Sequence, residues 1–274
     1  MGSCAEIRKP ERLVLALLRD TWQDVRYGAR MMRKNPGFTA IATLTLALGI
    51  GANTAIFSLM SGVMLRFLPV KNPRELVQLR WTTGTHPRNV ITSGYSGASF
   101  PFPVFEQLRF RSSSFSSVFA FANLGFDKPN ISINAGGEPV MGRGEMVSGD
   151  YFSGLGVTPM QGRPLAEEDE RPGAPLSAVV SYAFWTHRLA RSSSAVGSAI
   201  KLNGVVFTIC GVAPPEFFGL DQGRATDVWI PFLDRPELRP WSSPAPRGES
   251  LFLSHRWWWI SVMGRLKPGV IPDQ

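Results

Sequence analysis

No charged side chain interrupts residues 35–65, and within that stretch Phe38 to Met60 reads FTAIATLTLALGIGANTAIFSLM. Crossing about 30 Å of hydrocarbon takes roughly 20 apolar helical residues, so this run predicts a transmembrane helix over Phe38 to Leu65. A buried helix of a soluble protein seldom runs so long without a charged face. A cleaved signal peptide has a shorter apolar stretch with its basic flank nearer the N-terminus. Upstream the period changes. Leu18, Trp22, Val25, Ala29 and Met32 form one helical stripe, and Arg19, Gln23, Arg26, Arg30 and Arg33 form its neighbour. An apolar stripe beside a basic one predicts an amphipathic helix in the cytoplasmic interface, although a helix packed on a soluble partner would read the same. Asn35, Pro36 and Gly37 predict the corner between the two helices.

After the apolar run the pattern breaks into short segments, and no second run of membrane length occurs. Strands are predicted at Glu75–Trp81, Val118–Phe121, Ile131–Ile133, Val140–Val147, Ala178–Ser181, Ile200–Leu202, Val205–Val212, Asp227–Phe232 and Trp258–Leu266. Helices are predicted at Phe102–Phe110 and Tyr182–Ala190. Asn203-Gly204 between two apolar runs is a two-residue hairpin signal. Short helices mixed with strands and hairpins indicate one α+β domain over residues 66–274. Pro231 to Arg256 holds Pro236, Pro240, Pro244 and Pro246 with little periodicity, which predicts a long surface loop. Trp257, Trp258 and Trp259 read as alternating faces of a strand.

Charge refines this division. The net charge is +8, yet residues 1–34 hold eight Lys or Arg against four Asp or Glu, while residues 67–274 hold twenty against seventeen. The excess is mostly a basic arm beside the apolar run, which suits an anionic membrane surface; Arg19, Arg26, Arg30, Arg33 and Lys34 are its membrane-surface residues. The large domain lacks the concentrated basic face that phosphate neutralisation requires, so a nucleic-acid partner is not expected. Arg30, Arg33 and Lys34 before the run against Arg66 after it favour a cytoplasmic N-terminus and an extracytoplasmic large domain. Cys4 and Cys210 then lie on opposite sides of the bilayer and do not pair.

Within the run, Ala47, Gly51 and Ala55 recur every four residues and predict a face where another helix approaches closely, though small residues are common in spanning helices generally. Asn53 and Thr54 place polar groups at depth, and such groups seek partners across a helix interface. Candidate chemistry is sparse. His86, His187 and His255 are far apart and in no zinc-type spacing, and Gly94-Tyr95-Ser96-Gly97 is one residue short of a nucleophile elbow. Glu167, Glu168, Asp169 and Glu170 read as a solvated acidic turn. Asn130-Ile131-Ser132 is a formal glycosylation sequon. No phosphate-cradling G-x-x-x-x-G-K-[ST] occurs, and neither catalytic residue, cofactor nor metal is expected.

Asp24-Val25-Arg26-Tyr27, Asn35-Pro36-Gly37-Phe38-Thr39 and the string from Leu44 to Ser58, LTLALGIGANTAIFS, resemble the MacB-like and FtsX-like permeases, in particular the orphan, internally duplicated branch. The resemblance resumes at Val147-Ser148-Gly149-Asp150-Tyr151-Phe152, Leu155-Gly156-Val157-Thr158-Pro159, Gly162-Arg163-Pro164 and Leu202-Asn203-Gly204. It ends with Gly211-Val212-Ala213-Pro214-Pro215, Asp227-Val228-Trp229-Ile230-Pro231 and Gly264-Arg265-Leu266-Lys267-Pro268-Gly269. It implies an interfacial helix, a first spanning helix in the plasma (inner) membrane and a MacB-like periplasmic core domain. Further permease helices or a second permease copy, and a separate ATP-binding subunit, are the partners it implies beside the lipid membrane. Relatives continue into further helices, whereas this sequence stops at Gln274, so a partial ABC-type permease subunit is expected. A membrane-anchored binding module working without an ATPase is the alternative. Phe67 stands where such permeases usually have proline.

Overall fold

In the computed structural model the described residues are 22–23, 26–64, 70–81, 91–92, 97–124, 131–221, 223–235, 238 and 250–270. The chain divides into two compact units, Met1–Arg66 and Phe67–Gln274. In the first, helix α1 covers residues 26–34 and α2 covers Pro36–Met64. The corner is narrower than the sequence predicts, because Pro36 opens α2 and leaves only Asn35 between the helices. Proline suits a first helical position, where its missing N–H would otherwise be an orphan donor. Trp22 and Gln23 of the amphipathic pattern are helical, whereas Leu18, Arg19 and Val25 lie outside the described residues.

The second unit begins with a 3-10 turn at Pro73–Glu75. Strands β1 (Leu76–Gln78), β2 (Ile91–Thr92) and β3 (Ser99–Phe100) follow, then helix α3 (Phe102–Arg111). Next come β4 (Phe115–Asn123), β5 (Ile131–Asn134), β6 (Val140–Gly142), β7 (Gly144–Val147), α4 (Tyr151–Leu155) and β8 (Gln161–Gly162). A 3-10 turn at Glu167–Glu170 precedes β9 (Ser177–Val180) and α5 (Tyr182–Arg188). The chain then runs through β10 (Ala199–Leu202), β11 (Val205–Val212), β12 (Val228–Pro231), β13 (Trp257–Trp258) and β14 (Ile260–Leu266). Among the described residues twelve strands form one sheet, with the order β1-β14-β4-β7-β12-β9-β11-β10-β5-β6 and with β3 beside β14 and β8 beside β11; β13 pairs with β2. Most neighbours are antiparallel, while β7 with β12, β9 with β11 and β2 with β13 are parallel. This mixed sheet with short helices is the expected α+β class.

The pleat sorts side chains into two cores. Val118, Ala120, Met146, Val180, Val228 and Ile230 point into one, and α3 and α5 cover it with Phe105, Phe184 and Trp185. The intervening residues Phe119, Val147, Val179 and Trp229 point into the other, which α4 closes with Tyr151, Phe152 and Leu155. The predicted hairpin forms: β10 pairs with β11 from Leu202↔Val205, and Asn203 and Gly204 sit at φ 48° and 86°. Positive φ at both turn residues is what a type I′ turn demands.

Two expectations change. Val140–Val147 is two strands, since β6 pairs with β5 whereas β7 lies between β4 and β12. Between them Arg143 donates its N–H to Asp227 Oδ2 at 2.9 Å and accepts from the Asp227 N–H at 2.8 Å, which pins the chain as it changes neighbours. The proline-rich stretch is not wholly a surface loop either. Leu238 and Leu251 are 1% and 2% exposed and join the first core. Trp257 and Trp259 point inward and Trp258 is half-buried, as alternating faces require.

Candidate functional site

Helix α2 carries no acidic residue in its first turn and no basic residue in its last, and its Pro36–Ser58 part is apolar enough to cross a membrane with none of it buried. Its 29 residues rise about 43 Å, more than the hydrocarbon thickness. Ala47, Gly51 and Ala55 are all exposed, and a Cβ added at Gly51 meets nothing within 4 Å. The surface there is open to a neighbouring helix. Thr54 departs from the sequence expectation, because its hydroxyl donates to the Ile50 carbonyl at 2.8 Å and needs no partner across an interface. Arg26, Arg30, Arg33 and Lys34 are exposed on α1, and Arg19 lies outside the described residues.

The root of the large domain, where the chain arrives from this helix, is organised by Arg265. Strands β1 and β14 pair antiparallel with Leu76 opposite Arg265, so the incoming and outgoing ends of the domain lie side by side. The Arg265 guanidinium, 13% exposed, donates to the carbonyls of Lys71 at 2.6 Å, Asn72 at 3.3 Å and Gly154 at 2.8 Å, and to Glu75 Oε2 at 3.0 Å. Lys71 adds its own N–H to the Leu155 carbonyl at 3.0 Å. A planar fork with five N–H donors can hold several acceptors at once, which a lysine ammonium cannot match. Gly156 ends α4 at φ 69°, and a side chain there would overlap Lys71, so the linker lies directly on the helix terminus.

Beneath α4, Glu145 of β7 is 2% exposed, and its Oε2 accepts from Trp229 Nε1 at 2.8 Å and from the Tyr151 hydroxyl at 3.1 Å. Burial raises its carboxyl to about 7, against the pull of the two donors. The acidic run is more than a solvated turn. Asp169 is buried and takes a two-pronged bond from Arg163 at 2.7 and 2.8 Å, and Glu170 accepts from the Gly149 N–H at 2.8 Å and pairs with Arg109 at 3.3 Å. Arg109 also pairs with Asp150 at 2.9 Å and with Glu167. Glu167 and Glu168 keep the expected exposed character, Glu168 in a loose pair with Arg171 at 3.9 Å. Burial pushes the Cys210 thiol up to about 11, which keeps it protonated and unreactive.

The model of the MacB-like periplasmic core domain family matches residues 39–274, from within the apolar helix to the last residue. The chain belongs to this family. Among solved structures, the periplasmic region of MacB from Actinobacillus actinomycetemcomitans is similar at 14% identity and TM-score 0.47, covering 74% of this chain and 81% of that one. A domain of a permease protein from Porphyromonas gingivalis is similar at 16% identity and TM-score 0.43, covering 64% and 72%. The extracellular domain of the ABC-type transporter YknZ from Gram-positive bacteria is similar at 14% identity and TM-score 0.42, covering 64% and 76%. No curated protein matches the sequence.

The MacB-like domain brings together none of the histidines: His187 and His255 are exposed, and His86 lies outside the described residues, as do Asn130 and Gly94 to Ser96. Among the described residues no cluster of His, Cys, Asp and Glu has metal-holding geometry. Sequence reasoning missed Arg265, Glu75 and Glu145 as organising residues. Arg265 was visible only inside a family motif, and Glu145 within a short apolar run is the one signal that a buried carboxylate was present.

Proposed function

We propose that this chain supplies the first membrane helix and the extracytoplasmic domain of an ABC-type permease, and that the domain works mechanically rather than chemically. It takes part in export or envelope signalling by passing displacement between membrane helices and an extracytoplasmic partner, with ATP hydrolysed on a separate subunit. The observation that supports this reading most is the root: β1 and β14 run side by side, and Arg265 of β14 binds residues 71–75, which lead into β1, and α4 into one piece. A pull or twist at either chain end then reaches the second core through hydrogen bonds that are already made. The N-terminus and basic helix α1 lie on the cytoplasmic side of the inner membrane in this reading, and Ala47, Gly51 and Ala55 receive a further permease helix or a second copy.

Two measurements test it. Full-length protein in liposomes, purified stringently, shows no ATP turnover above background and no solute flux, since a lone helix with its backbone already paired encloses no polar path. In spheroplasts, Cys210 reacts with a membrane-impermeant thiol reagent after mild unfolding, whereas Cys4 needs permeabilised cells. Robust ATP turnover by the pure chain, or labelling in the opposite order, overturns the reading. Co-reconstitution with an ATP-binding subunit that leaves turnover unchanged whether or not this chain is present would instead favour an anchored binding module.

A further inference from the structure

Glu145 occupies an unusual place for a carboxylate. It stands in the middle of the sheet, opposite Trp229 on β12 and Asn123 on β4, and faces the aromatic cluster of Phe119, Tyr151, Phe152, Phe217 and Trp229. The groups that face it are the Tyr151 hydroxyl from α4, the Trp229 indole from β12 and, further off, the carboxylate of Asp221 from the loop before β12, itself 3.7 Å from Arg224. Both direct partners are neutral donors, and Tyr151 stays protonated because burial lifts its hydroxyl well above the usual range. An ionised Glu145 therefore has two hydrogen bonds and no counter-cation acting on it among the described residues, in surroundings that water does not reach.

The walls of this site differ in how they are tethered. Trp229 lies on a strand hydrogen-bonded on both sides, to β7 and β9, whereas Tyr151 begins a five-residue helix. When charge on Glu145 must be hydrated, α4 is the wall that yields. The other end of α4 carries the Gly154 and Leu155 carbonyls that hold Arg265 and Lys71.

We propose that protonation of Glu145 sets how tightly α4, and through it the linker at residues 70–75, is held on the domain, which makes the root of this domain sensitive to extracytoplasmic pH. The protonated acid keeps the aromatic cluster shut and the linker docked. The carboxylate loosens α4 and frees the linker. The sign follows from linkage: folded-state affinity for the proton exceeds that of the open state, so the closed form loses stability as pH rises toward and through about 7 and levels off above it. Its biological meaning rests on the mechanical role of the root, but its test does not.

The test is amide exchange of the full chain in nanodiscs, read as protection relative to an unstructured peptide at each pH. Protection of the Lys71 amide falls by about tenfold between about pH 6 and about pH 8, the change that linkage gives for a group titrating near 7 whose charge the opening relieves. The Trp229 indole N–H resonance shifts over the same range. Glu145→Gln, which keeps the shape of the neutral acid, abolishes both changes. Tyr151→Phe keeps the titration but moves its midpoint upward, because the carboxylate loses a donor, and this variant carries the test if Glu145→Gln fails to fold. Protection at Lys71 that is flat across this range, or equally pH-dependent in Glu145→Gln, overturns the proposal. These results are independent of thiol labelling and ATP turnover, so the switch and the permease reading fail separately.

Discussion

The hydroxyl of Thr39 donates to the carbonyl of Met32 at 2.8 Å, seven residues back along the chain. Pro36 explains the reach, since the N–H that would normally serve the Met32 carbonyl is missing from proline. The same hydroxyl lies 3.0 Å from the Asn35 carbonyl, and the backbone ladder continues on either side through Asn35 N–H to Met31 and Thr39 N–H to Asn35. The corner between α1 and α2 is therefore a one-residue break that a side chain repairs.

Thr39→Val removes that repair and leaves the Met32 carbonyl without its donor. The expected cost is about 1 kcal/mol, so amide exchange at Asn35 and Thr39 in nanodiscs speeds up by about fivefold. Thr39→Ser restores the wild-type rate. Equal rates in all three proteins would show that the hydroxyl contributes nothing at the corner.

Gly51→Leu places a bulky side chain on the small-residue face of α2, where a Cβ meets nothing within the chain itself. The isolated helix is expected to stay intact while association with another helix weakens by about 1–2 kcal/mol, the scale of contacts between membrane helices. Leu46→Val lies off that face and leaves association unchanged. An in-membrane association assay that cannot tell the two variants apart removes Ala47, Gly51 and Ala55 from the interface.

Gly149 sits where a side chain would overlap the backbone of Ala166 and Glu167, while its own N–H donates to Glu170. Gly149→Ala must push that segment away and disturb the Arg109 and Arg163 pairs anchored there. A loss of about 3 kcal/mol is expected, or a fall of roughly 10 °C in the unfolding midpoint of the large domain. Gly137→Ala, with open space around it, changes stability by less than about 0.5 kcal/mol. Calorimetry on the two variants decides whether this contact is as tight as the geometry says.

Much of this molecule is legible locally. The spanning helix follows from an unbroken apolar run, and the hairpin at Asn203 and Gly204 follows from the few residues that tolerate positive φ. Both depend on neighbours in sequence, so a linear reading finds them. The split at Arg143 is different. Residues 140–147 read as one short strand-like run, and only the exchange of hydrogen bonds with Asp227, 84 residues away, breaks them into two.

The same distinction governs the functional residues. Sequence by itself determined that a basic amphipathic segment leads into a membrane helix and that an α+β domain follows, because periodicity and charge are properties of adjacent residues. Tertiary structure alone decided that Arg265 grips a linker 190 residues before it, and that Glu145 is shut in by a tyrosine and a tryptophan from two other elements. A guanidinium finds its acceptors, and a carboxylate its desolvation, through sheet pairings that bring distant segments together, and no local pattern encodes those pairings.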